Sequence, residues 1–182
     1  MKYRSVLFIV LISLMLTACT FQEEQARQTI AEESFPDLVL NSGFYQIAQG
    51  DNEMITVEAA LIEITKKKDL AQFIDASFTQ QDREGKLLFE GNAHQLRIDT
   101  ASDTISFFDG FIVTVHGGEF TITGETLTYD SRKRLLSSEE GQITTLTDKK
   151  GGILSGLGFS GDIDKRLFEF TTLKEGYMAY EE

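Results

Sequence analysis

Cysteine and proline occur once each in the 182 residues, histidine twice and tryptophan not at all. A lone cysteine, Cys19, cannot close an intrachain disulfide, so the fold has no covalent staple and must be held by its core. His94 and His116 belong to no spaced group with cysteine or carboxylate of the kind that binds zinc, and no nucleophile elbow points to a serine hydrolase. The expectation is a protein with no catalytic residues, no metal and no cofactor. Basic residues are outnumbered, 17 Lys and Arg against 29 Asp and Glu, giving a net charge of -12. Such a surface, without a basic stripe, repels phosphate backbones and excludes DNA and RNA as partners. A membrane-spanning run is missing too: Val6 to Leu16 is apolar but falls short of the about 20 residues a bilayer requires.

That run nevertheless has a function in its context. Lys2 and Arg4 precede it and small residues ending at Cys19 follow it, which is the order of an export signal. The segment "LTAC" resembles a bacterial lipobox, implying cleavage before Cys19 and lipidation of that residue. Residues 1–18 are read as a lipoprotein signal peptide and 19–34, with "EEQARQTIAEES", as a polar tether. Residues 35–175 are the folded domain and 176–182 an acidic tail. The mature chain is expected outside the cytoplasm, held to a membrane by its acylated terminus.

Past Pro36 the dominant signal has period two, as in "HQLRID", "FIVTV", "EFTITG" and "ETLTYD". Alternation rich in threonine and aromatic residues, cut by glycine and aspartate, predicts short antiparallel strands with one apolar face. "MITVEAALIEITKKKD" has helical possibilities, but its β-branched residues make it a strand, with Lys66 to Lys68 as a solvated turn. The fold class is all-β. "AHQLRIDTASDTISFFDG" and "GETLTYDSRKRLLSSEEG" are copies of one unit: at an offset of 31, Leu96 falls on Leu127, Ile98 on Tyr129, Asp99 on Asp130, Ile105 on Leu136, Gly110 on Gly141 and Ile112 on Ile143. A third copy sets Gly156, Phe159 and Asp162 against Gly124, Leu127 and Asp130. A fainter one sets Ala59, Ile62 and Ile64 against Ala93, Leu96 and Ile98. Units this small cannot bury their own apolar faces, so neighbours must share one core.

The recurring Asp99, Asp130 and Asp162 are expected as turn residues that bond their own backbone. "GLGFSG" matches a dinucleotide fingerprint, but the strand-like "DIDKRLFEF" follows it instead of a helix, so these glycines mark a bend or a close backbone approach. The inward parity comprises Leu96, Ile98, Ile105 and Phe107; Phe111, Val113, Val115, Phe120 and Ile122; and Leu127, Tyr129, Ile143, Phe159 and Phe168. These are the candidate lipid-binding residues, though periodicity does not separate a ligand slot from plain core.

The stretches "FPDLVLNSGFYQI", "FIDASFTQQDREGKLLFEGNAHQLRID", "GETLTYDS" and "GGILSGLGFSGDIDKRLFEF" resemble the LptC family, periplasmic bridge proteins of lipopolysaccharide export related to LptA/OstA-type domains. The resemblance implies an open, twisted β-jellyroll whose facing sheets hold acyl chains. It implies as partners lipopolysaccharide or a similar acylated lipid, the permeases of an inner-membrane ABC exporter and an LptA-like periplasmic jellyroll. It also favours the inner membrane for the Cys19 anchor. The chain departs from the family in carrying a lipobox where many members have a membrane-spanning helix, so that helix's transporter contacts do not carry over. The contrasting expectation is an assembly module of the cell envelope that joins partners by strand edges and binds no lipid.

Overall fold

Alternating residues such as Ala71 and Phe73, Ala76 and Phe78, or Leu96 and Ile98, can bury one side only if the chain stays extended, and the structure is built almost wholly of such strands. A computed structural model describes residues 35–49, 53–117 and 120–177; the signal segment, Cys19, the tether and residues 178–182 of the tail lie outside them. Residues Pro36–Glu182 form one compact unit. The strands are β1 (Leu38–Gln49), β2 (Glu53–Thr65), β3 (Leu70–Gln81), β4 (Leu87–Asp99), β5 (Thr104–Val115), β6 (Phe120–Gly124), β7 (Leu127–Asp130), β8 (Leu135–Ser137), β9 (Ile143–Asp148), β10 (Ile153–Asp162) and β11 (Leu167–Tyr177). The region with helical possibilities is β2. The domain boundary expected at 175 falls inside β11, which continues through Gly176 and Tyr177.

Neighbouring strands are antiparallel and join into a single sheet. One part of β5 pairs with β6 and the other with β7; β6 then pairs with β9, β7 with β8, and both β8 and β9 with β10. Thus β6 and β7 behave as one interrupted strand, as do β8 and β9, and the chain is an up-and-down meander. Its terminal strands, β1 and β11, each pair on one side only among the described residues.

A line of irregularities crosses every strand at mid-length. Ser42, Ala60, Asp75 and His94 sit on a skipped rung of their ladders, between Asn41↔Leu61 and Gly43↔Ala59, then Ile74↔Gln95 and Ala76↔Ala93. The line continues through Asp109 and Gly110, through the gap between β6 and β7, through Gly141 between β8 and β9, and to Gly158 opposite Thr171. Six of these residues are left-handed: Ser42 (φ 54°), Asp75 (φ 50°), Asp109 (φ 60°), Gly110 (φ 96°), Gly141 (φ 85°) and Gly158 (φ 62°). Aligned bulges bend strands and re-aim side chains, so together they crease the sheet.

Folding along this crease gives two half-sheets, and the apolar residues of both form one core. A lower half carries Ile62, Phe73, Leu96, Ile98, Ile105, Phe107, Leu127, Tyr129 and Phe159; an upper half carries Val57, Phe78, Phe89, Val113, Val115, Ile122 and Leu146. Ring pairs link the halves: Phe78 with Phe107 (5.0 Å), Phe89 with Tyr129 (5.1 Å), Tyr45 with Phe73 (5.6 Å) and Phe120 with Phe168 (5.0 Å). Each such pair adds about 0.5–1.5 kcal/mol beyond the area it buries. The facing sheets implied by the LptC resemblance are therefore two halves of one sheet.

The lower half ends in four hairpin turns of matching form, 66–69, 100–103, 131–134 and 163–166, each closing on a left-handed residue: Asp69, Asp103, Arg134 and Arg166. The turns bond to one another in series, since Thr100, Ser131 and Ile163 donate their backbone N–H groups to the carbonyls of Asp69, Asp103 and Arg134. The first turn has no predecessor, and there the Lys66 N–H donates to the Asp37 carboxylate at 2.7 Å. Asp37 therefore substitutes for a missing turn.

Candidate functional site

Strand alternation brings most of the predicted lining residues to the space between the half-sheets. Leu96, Ile98, Ile105, Phe107, Phe111, Val113, Val115, Ile122, Leu127, Tyr129 and Phe159 are buried there, while Phe120 and Phe168 are half-buried against them. Ile143 is a correction. It is 54 % exposed on the outer face, matching Ile112 at 51 %, its counterpart in the repeat. Strand β9 turns Thr144 and Leu146 inward instead, so the hydrophobicity of Ile143 misreports its direction. The repeat itself is sound at this position, because both copies place the isoleucine outward.

The middle of the interior is filled. Phe78, Phe89, Val113, Ile105, Phe107, Tyr129 and Leu136 surround a void of about 10 Å³, space for about one water. Room increases toward the ends. A cleft of about 180 Å³ lies by Tyr45, Ile64, Leu70 and Ala71 near β1, and one of about 220 Å³ by Leu88, Val115, Ile163 and Phe168 near β11. The apolar face continues to both terminal strands, where Tyr45 and Ile47 on β1 and Phe168 and Phe170 on β11 are only partly covered. Phe44 (66 % exposed), Leu173 and Tyr177 stand on the same strands in solvent.

The turn aspartates do what their spacing predicts. The Asp99 carboxylate accepts from the Ala101 and Ser102 N–H groups, and Asp130 and Asp162 accept from those of Lys133 and Lys165. Lys133 Nζ lies 2.8 Å from Asp130 and Lys165 Nζ 2.6 Å from Asp162. The Ser102 backbone N–H holds the Asp99 carboxyl below the usual carboxylate range. The Lys133 and Lys165 side chains, then their backbone N–H groups, do the same for Asp130 and Asp162. Lys165 is raised in return, chiefly by its bond to Asp162. These groups shape turns and do not converge on a cleft.

His94 pairs with Asp75 at 2.6 Å and His116 with Glu90 at 2.9 Å, all on the surface. Among the described residues no group of three or more His, Cys, Asp or Glu is placed to hold a metal ion, and no helix is long and apolar enough to cross a membrane. "GLGFSG" lies within β10, where Gly158 bends the strand and Gly161 leaves room for the Phe168 ring. Lys66 to Lys68 form an exposed 3-10 turn.

The crease was missed in the sequence. Its members lie in different strands, and the repeat aligns only two of them, Gly110 and Gly141, at the ends of the two copies. The available signal was an Asp or Gly interrupting the period at the middle of successive strands: Asp75, Asp109-Gly110 and Gly158. No protein-family model matches the chain, and no curated protein matches it.

Proposed function

We propose that this chain is a non-enzymatic component of periplasmic lipopolysaccharide export, or export of a related amphiphile. It receives acyl chains from an inner-membrane ABC transporter between its half-sheets and passes them to the next jellyroll, anchored by a lipidated Cys19. The observation that carries this reading is an apolar interior running out to two terminal strands that, among the described residues, pair on one side only. An exposed strand edge templates pairing with another sheet, and a partner sheet added there would extend the same interior. The LptC-like motifs in the sequence support the same assignment.

Energetics set the division of labour. At about 0.8 kcal/mol per CH₂, a chain of about a dozen carbons is worth on the order of 10 kcal/mol when withdrawn from a membrane into water. An apolar seat brings that transfer close to neutral, and extraction is left to an energised partner. The end clefts near β1 and β11 are the seats that need least rearrangement. Deeper seating requires the half-sheets to part about the crease.

The filled centre favours a second reading, an assembly module that uses its edges to join proteins and carries no lipid. Mass spectrometry of organic extracts from the purified protein separates the two. The export reading expects stoichiometric acylated lipid beyond the chain's own anchor, and a lipid-free extract from protein purified without detergent supports the assembly module.

A further inference from the structure

In this acidic chain, every lysine and arginine between Phe35 and Tyr177 except Arg97 and Lys174 lies in a hairpin turn. The turns form the two lips of the folded sheet and hold acids as well, among them Asp69, Asp82, Glu84, Asp103 and Asp164, so charge of both signs borders the opening. At the β10–β11 end this charge meets apolar surface. Leu88 and Val115 from the upper half and Phe168 from the lower line the 220 Å³ cleft, with Arg134, Asp164 and Arg166 at its rim. Arg134 Nε donates to Asp164 at 2.6 Å, which sets those two charges against each other. Arg166, exposed and held left-handed at the end of its turn, forms no ion pair among the described residues.

We propose that this cleft seats the junction between head and tail of a phosphate-bearing lipid, with the phosphate against Arg166 and the first methylenes on Leu88, Val115 and Phe168. Charge complementarity selects the occupant: a guanidinium beside an apolar floor matches an anion joined to an alkyl chain, and neither half of the cleft accounts for the other. The site orients the lipid with its head at the lip and its tails toward the core. This inference rests on the export reading and adds recognition of the head group.

The test is calorimetric titration of the full chain with dodecyl phosphate, below its micelle-forming concentration, beside dodecyl maltoside and inorganic phosphate. Dodecyl phosphate should bind more tightly than either. Arg166→Gln should weaken it about tenfold, equivalent to about 1.4 kcal/mol, and leave dodecyl maltoside unchanged, whereas Lys174→Gln should change nothing. The preference should shrink as salt is raised. Equal binding of the two dodecyl compounds, with Arg166→Gln silent, would overturn the head-group site and leave acyl-chain carriage standing. Inorganic phosphate binding as tightly as dodecyl phosphate would overturn the lipid assignment of the site. Failure of both dodecyl compounds to bind would overturn the site and the export reading together.

Discussion

The central strands and the last strand follow the same sequence rule to opposite ends. In β3, "LAQFIDASFTQQ", and β11, "LFEFTTLKEGY", apolar residues recur at short intervals, yet β3 buries five side chains and β11 none. β3 is paired on both sides and β11, among the described residues, on one, but ladder bonds lie in the plane of the sheet and cover neither of its faces. What β11 lacks over most of its length is an opposing layer. Alternation makes an apolar face, and only the fold about the crease covers it. A strand with the face and without the cover leaves that face in solvent, as Leu173 and Tyr177 show.

The contrast can be broken most directly in the core. Leu96, fully buried on β4, should cost about 3 kcal/mol when replaced by alanine, and Leu173, 55 % exposed on β11, under about 1 kcal/mol, both read from urea unfolding. Comparable losses at the two positions would mean that β11 is already covered. Next comes the crease. Gly158→Ala places a Cβ against the Thr171 side chain at φ 62° and should cost about 1–3 kcal/mol. A neutral result would show that β10 does not need its bend. Smaller again is the start of the turn series: Asp37→Ala removes the acceptor for the Lys66 N–H and should cost about 0.5–1.5 kcal/mol.

The pH response tests the turns as a group. Asp99, Asp130 and Asp162 have folded values below the usual carboxylate value of about 3.9. Their stabilisation is present above the unfolded value and lost as pH falls through the lowered folded values. Replacing all three with asparagine should therefore flatten the acid limb of stability below about pH 4 and scarcely change its slope near neutrality. An unchanged acid limb in melting experiments would remove these turns from the account.

Much of this architecture was legible because its causes are local. Period-two alternation follows from strand geometry, and the Asp turns follow from a side chain that bonds the backbone two or three residues on. The repeat aligned Leu96 with Leu127 and Asp99 with Asp130, and the structure places each pair in equivalent positions. The crease was hidden because it exists only across strands: Ser42, Ala60, Asp75 and His94 become one line when register sets them side by side. Ile143 misled for a related reason, since inward and outward are properties of a position in the sheet and Thr144 occupies the inward one. The cap by Asp37 spans 29 residues of sequence and leaves no pattern to detect.

The central claim, that acyl chains lie between the half-sheets, is tested most directly by photocrosslinking in cells. Benzoylphenylalanine at Phe120 and Phe168, both half-buried on the inner face, should capture lipid, while the same probe at Thr128 and Arg97 on the outer face should not. Equal capture on the two faces, or none at Phe120 and Phe168 in protein that remains folded, would contradict it.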